Sequence, residues 1–188
     1  MKKLFIATAL LLNTLLLTAC VSTSNDSPAQ KRAQIQTMSQ QVLANVYREN
    51  PRIRSEVNKA AGYAVFSNAQ INLLFIAAGG GYGMVHSNNS GKNTYMNMGE
   101  AGVGLGLGVK DFRVVFVFHS KAALTKFIKD GWSVGVEADA AAKSSDKGDA
   151  TSAGLTLGDI SVYQLTESGL ALQAMIKGTK YWPNDELN

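Results

Sequence analysis

Few residues in this 188-residue chain are able to do chemistry: two histidines, His86 and His119, and one cysteine, Cys20. An imidazole acts as a general base only where a hydroxyl or carboxylate meets it across space. His119 is followed by Ser120, but adjacency in sequence does not make a nucleophile and its base. A hydrolase-like site at His86 or His119 needs a pocket in which one of them meets a Ser or a carboxylate. Glu100 and Asp111 are the carboxylates that a His pair would recruit for a metal. No G-x-S-x-G elbow is present, and two His with one Cys do not make a structural metal site. The glycines invite a nucleotide reading, which their spacing refuses. Gly102, Gly104, Gly106 and Gly108 run G-x-G-x-G-x-G, not G-x-G-x-x-G, and open no helix. Gly91-Lys92 is followed by Asn93 and is no P-loop. No catalytic residue, metal ligand or cofactor is assigned, and the chain is expected not to be an enzyme.

What remains is binding chemistry. Arg48, Arg52, Arg54 and Lys59 crowd into twelve residues, diluted by Glu49 and Glu56. Such a cluster is either a solvated helix face or a contact for anionic headgroups. The formal net charge of +4 falls to +2 without Lys2 and Lys3. No basic run is interleaved with aromatics, so nucleic acid is not an expected partner.

Cys20 closes the N-terminal segment. Met1-Lys2-Lys3 is a positive n-region, and Leu4 to Leu17 is apolar apart from Thr8, Asn13 and Thr14. That run falls short of the roughly 20 residues of a spanning helix and reads as a secretory signal. Leu17-Thr18-Ala19-Cys20 resembles the bacterial lipobox. In that class the thiol takes a diacylglyceryl group, the chain is cut before it, and the new amine is acylated, typically with palmitate. Two or more buried acyl chains anchor stably where one does not. Val21 follows; by analogy with envelope sorting, the lack of Asp there places the protein on the periplasmic face of the outer membrane. Residues 1–19 are thus expected to be a lipoprotein signal peptide, and 20–30 a lipidated Cys with a flexible tether. Residues 31–188 are expected to form one domain, since the chain is short for two.

Lys31 to Asn50 reads as a helix, with Ile35, Met38, Val42 and Val46 recurring every three or four residues and Leu43 and Tyr47 widening the stripe. Asn50-Pro51 restarts a second helix to about Ala61, with Ile53 and Val57 inward. Ser120 caps a third that Gly131 ends. Short strands fill the rest: Tyr63 to Phe66, Ile71 to Ala78, Tyr82 to His86 with a turn at Asn88-Asn89-Ser90-Gly91, Thr94 to Met98, the Gly-alternating Ala101 to Lys110, and Phe112 to Phe118 returning through Lys110-Asp111. Phe112, Val114, Phe116 and Phe118 share a face. Trp132 to Ala140 alternates, Lys143 to Ser152 is a loop, and Ile160 to Leu165 and Leu170 to Ile176 form a hairpin. The chain has 18 Gly, of which 11 lie between Gly62 and Gly108. The fold class is therefore α+β, with N-terminal helices packed on a mainly antiparallel, strongly curved or barrel-like Gly-rich sheet.

Several blocks, in order, resemble the SYLF domain family. They are Lys59 to Phe66 (KAAGYAVF), Gly79 to Gly83, Gly99 to Asp111, Asp130 to Val136 (DGWSVGV), and Ser168-Gly169-Leu170 through Ile176-Lys177-Gly178. The likeness spans about Lys31 to Asn184. Ala61 and Ser168 stand where the family has Lys, and Ser67-Asn68 where it often has Pro-Asn. The resemblance implies a lipid- or actin-binding module without catalytic residues. Actin is not carried over, because the periplasm offers none.

These readings converge on a non-enzymatic, membrane-anchored periplasmic lipoprotein. Its domain is expected to bind a phospholipid or the membrane surface, with Arg48, Arg52, Arg54 and Lys59 as headgroup contacts. The alternative is a structural or protein-interaction lipoprotein whose partner is an envelope protein.

Overall fold

A computed structural model describes residues 26–134, 155–166, 169–171 and 178–188. The signal, Cys20, the loop 143–152 and most of the strand expected over 132–140 lie outside the described residues.

The first helix, α1, spans Pro28–Glu49. Ser27 Oγ accepts from the Gln30 N–H (3.3 Å), and Gln30 Oε1 accepts from the Ser27 N–H (2.8 Å), a reciprocal cap with Pro28 at the first helical position. Residues 28–30, expected in the tether, are therefore helical. α2 spans Arg52–Lys59, and Asn50 Oδ1 receives the Arg52 N–H at 3.1 Å to start it. The expected stripe is the one that packs. Val42, Leu43, Val46, Ile53, Val57 and Ala60 are buried against Val65, Val115, Val117 and Tyr163 of the sheet.

Two strands of 26 residues dominate the sheet, β1 at Gly62–Ser87 and β2 at Asn93–Phe118. They pair antiparallel from Gly62↔Phe118 to His86↔Asn93, with one register shift between Leu74 and Ile76. The expected return at Lys110-Asp111 does not exist. Lys110 pairs with Gln70 and Asp111 with Ala69 inside one continuous ladder. The turn expected at Asn88-Asn89-Ser90-Gly91 does form, with Gly91 at φ +67°. Helix α3 (Lys121–Asp130) follows β2, with Ser120 Oγ accepting from the Ala123 N–H at 3.2 Å. Gly131 at φ +66° ends it, and a Cβ there would strike the Tyr181 carbonyl.

The remaining strands are β3 (Trp132–Val134), β4 (Leu155–Leu157), β5 (Ile160–Thr166), β6 (Gly169–Ala171) and β7 (Gly178–Pro183). β2 is the spine. β1 lines one edge; on the other, β7 pairs with residues 96–101 and β5 with 113–118. β3 extends β7, and β4 and β6 extend β5, all antiparallel.

The ribbon doubles over, and glycine permits it. Gly79, Gly81 and Gly83 share one face of β1, and the carbonyls of Ala69, Ser67 and Val65 lie on that face. A Cβ on Gly81 or Gly83 would fall inside contact distance of those oxygens. The expectation of a strongly curved or barrel-like sheet is corrected on this point. Among the described residues no ladder joins β1 to β3, β4 or β6, so the sheet stays open. The close approach is a fold between two legs of one ribbon and not a roll closed by hydrogen bonds.

The main core lies between the legs. Phe66, Phe112, Val114, Phe116 and Phe118 come from one leg, Val85, Met96 and Met98 from the other, Tyr181 from β7, and Leu124 and Phe127 from α3. The four even-numbered residues from Phe112 to Phe118 thus share a face as expected. A third cluster, Ile35, Met84, Tyr95 and Leu187, lets the C-terminal tail close over α1 and the second leg.

Candidate functional site

The four basic residues come together on one helical corner, and all four are exposed. Arg48 lies in the last turn of α1, where a cation complements the helix dipole, and donates to Asn45 Oδ1 at 2.9 Å. Arg54 stands over the Tyr47 ring, 5.1 Å from its centroid. Arg52 and Lys59 are seven residues apart and share a face of α2. None of the four is in an ion pair among the described residues.

α2 is pinned from two sides. Asn88, in the ribbon's turn, donates through Nδ2 to the carbonyls of Val57 (2.7 Å) and Ala60 (3.0 Å), holding the helix's C-terminal end. Glu56 turns toward the sheet, where it accepts the Tyr163 phenol proton and lies 3.3 Å from His119 Nε2. Of the two acids expected to dilute the cluster, Glu56 is thereby drawn inward, which leaves the outer face of α2 basic, while Glu49 stays exposed at the end of α1.

His119 therefore does meet a carboxylate and also a hydroxyl, since its Nε2 lies 2.8 Å from Ser161 Oγ. The arrangement is not that of a nucleophile and its base. Both partners address the same ring nitrogen. In a Ser triad the carboxylate holds the other ring nitrogen. Tyr163 donates to the same Glu56 carboxylate. Burial foremost, then the hydrogen bond to Glu56 and its charge, raise the phenol above its ordinary range, while a hydrogen bond from Ser161 works the other way. The cluster reads as a tie fastening α2 to β5 and the end of β2.

His86 faces an amide and a phenol ring: its Nδ1 lies 2.6 Å from Asn93 Oδ1, and its ring is 5.1 Å from that of Tyr63. The Asp111 side chain lies outside what is described. Glu100 is 4% exposed and accepts from Asn68 Nδ2 at 2.8 Å. Tyr181 beside it has its phenol pushed upward by burial and by the Glu100 charge. Among the described residues no group of three or more His, Cys, Asp or Glu is placed to hold a metal. Nor is any described helix long and apolar enough to cross a membrane.

Sequence reasoning missed Glu56, Ser161 and Tyr163 as partners of His119. It also missed Tyr82 and Trp182, which among the described residues are the large hydrophobics left exposed, at 47% and 39%. Both pair with Asn97, from β1 and β7, and so share one face of the sheet.

No protein-family model matches the chain. The chain is similar to Beta cell expansion factor A of Aeromonas veronii, at 34% identity over 161 residues, which is 84% of this chain. It spans 59% of that relative's length.

Proposed function

We propose that this chain is a non-enzymatic lipoprotein, anchored through acylated Cys20 to the outer membrane's periplasmic leaflet. Its folded part, a SYLF-like domain, binds anionic lipid or the membrane surface. The observation that carries the reading is the exposed set Arg48, Arg52, Arg54 and Lys59, none of them in an ion pair among the described residues, on a corner from which Glu56 is withdrawn. Each such cation near an anionic surface contributes about 1 kcal/mol, screened by salt. The lipobox-like Leu17 to Cys20 and the ordered SYLF-like blocks support the same reading.

Vesicle flotation of the chain carrying Cys20→Ala tests it. Binding to phosphatidylglycerol vesicles is expected, with little to phosphatidylcholine. Arg48→Gln, Arg52→Gln, Arg54→Gln and Lys59→Gln together should abolish it. Equal absence from both vesicle types sinks the proposal.

A second reading, a protein-interaction lipoprotein, is favoured by the exposed Tyr82 and Trp182 sharing one sheet face. The relative that the chain resembles is named a beta cell expansion factor. Purified protein added to cultured beta cells should then raise their number, and Tyr82→Ser with Trp182→Ser should remove the effect.

A further inference from the structure

A cavity of about 390 Å³ opens between the ribbon's turn and α3, at the low end of the ~300–1,000 Å³ of small-molecule sites. Its walls have a consistent chemistry. Lys92 directly precedes β2 and Thr94 lies at its start, while Lys121, Leu124, Thr125 and Ile128 come from α3. The α3 residues recur at three and four, so they form one flank of the helix. Leu124 is buried and Ile128 partly so, which makes the floor apolar. The rim is two lysines with hydroxyl donors, and no acidic residue lines the space.

The fold gives neither lysine a partner. Lys92 and Lys121 are exposed, and neither makes a side-chain hydrogen bond or ion pair among the described residues. Lys121 is moreover the first residue of α3, where the helix dipole disfavours a cation, and no acid stands in that first turn to offset it. The feature adds nothing to folding that the structure reveals, whereas an anion between the two lysines would relieve it. The floor is made possible from below. Gly62 has no side chain; a Cβ there would strike the His86 carbonyl and also lie 3.0 Å from a Leu124 methyl.

We infer that this cavity is a binding site for a small amphiphilic anion, a phosphate or carboxylate carried on a short apolar stem. The head sits between Lys92 and Lys121, with Thr94 and Thr125 donating, and the stem lies on Leu124 and Ile128. The site does not rest on the headgroup surface of α2, which shares no residue with it.

The test is a titration of the purified protein followed by amide chemical shifts, with hexyl phosphate, inorganic phosphate, hexanol and phosphatidylglycerol vesicles as separate probes. Hexyl phosphate is expected to shift Thr94, Lys121 and Thr125 saturably, and more tightly than either half-ligand. Lys92→Gln with Lys121→Gln, both at exposed positions, should weaken it about tenfold or more, as loss of charge-assisted hydrogen bonds does. Vesicles that shift the same amides, and lose the effect in that variant, would identify the anion as a lipid headgroup; silence from vesicles would identify a free molecule. Inorganic phosphate binding as tightly as hexyl phosphate would overturn the apolar half. Binding unchanged by the double substitution, or none, would overturn the site. The fourfold α2 variant should leave this titration unaltered, so the two proposals fail separately.

Discussion

Gly81→Ala should destabilise the protein far more than Gly80→Ala, although the two positions adjoin in one strand. A Cβ at Gly81 points at the Ser67 carbonyl oxygen, well inside contact distance, and meets the Ser67 carbonyl carbon and Asn68 Cα at 3.0 Å. All three are backbone atoms, so no side chain can swing away. Relief requires the two legs of the ribbon to part by roughly an ångström, which strips contacts from the core between them. Overpacking of this kind costs about 1–3 kcal/mol, and a rigid obstacle belongs at the upper end. The lower chain entropy of Ala returns about 0.5–1 kcal/mol. The net expectation is a loss of about 2 kcal/mol. At Gly80 the nearest atom to a new Cβ is the Met98 carbonyl at 3.9 Å, so only the entropy gain remains. Urea midpoints with unchanged slopes would measure both. The thermal midpoint of Gly81→Ala should fall by about 4–8 °C. Variants lying within about 0.5 kcal/mol of one another would refute the doubled-over ribbon.

Alkali should unfold the protein through its tyrosines. Tyr163 and Tyr181 hold their phenol protons more tightly when folded than the ordinary 10.0, chiefly through burial, and Tyr47 and Tyr63 shift the same way. Their contribution is whole below pH 10 and is lost as pH rises through the folded-state values. Denaturation midpoints measured from neutral to strongly alkaline pH should fall above pH 10, and Tyr163→Phe should flatten the fall. The tie between α2 and β5 is open to a double-mutant cycle. Glu56→Ala and Tyr163→Phe should each cost about 1 kcal/mol and couple by at least about 0.5 kcal/mol, and additivity would show that the contact holds nothing.

The helices were legible because their signals are local. Ile35, Val42, Leu43 and Val46 carry the helical spacing, and all are buried. Ser27 and Gln30 also carried a capping-box pattern, but the small polar residues before them read as tether. The strands were legible in their faces and not in their extents. Lys110-Asp111 looks like a turn because it interrupts an apolar alternation. Yet a two-residue return needs residues that accept positive φ, which Lys110-Asp111 lacks and the turn read at Asn88 to Gly91 has in Gly91. β4 and β7 escaped because three residues carry no period, and because β7 runs into Pro183. The close approach at Gly79, Gly81 and Gly83 was not legible, since nothing in that block says which backbones meet there. A closed barrel and a folded ribbon place the same demand on those positions.

The candidate site was half legible for the same reason. The basic residues are neighbours in sequence, so their crowding was visible at once. What was not visible is where Glu56 goes: its partners are His119 and Tyr163, the latter 107 residues away. With Arg52, Arg54 and Lys59 against that one acid, α2 is net basic wherever the acid points. Directing the carboxylate to a phenol and an imidazole removes it from the outer face. The same contact fastens the helix to the sheet, while Asn88 from the ribbon's turn fastens its other end. The long ribbon thus does two things at once: it builds the core between its legs, and its turn and outer face fix the angle at which α2 displays its cations. A substitution that loosens the ribbon should therefore also blur the charged corner, even where no basic residue is touched.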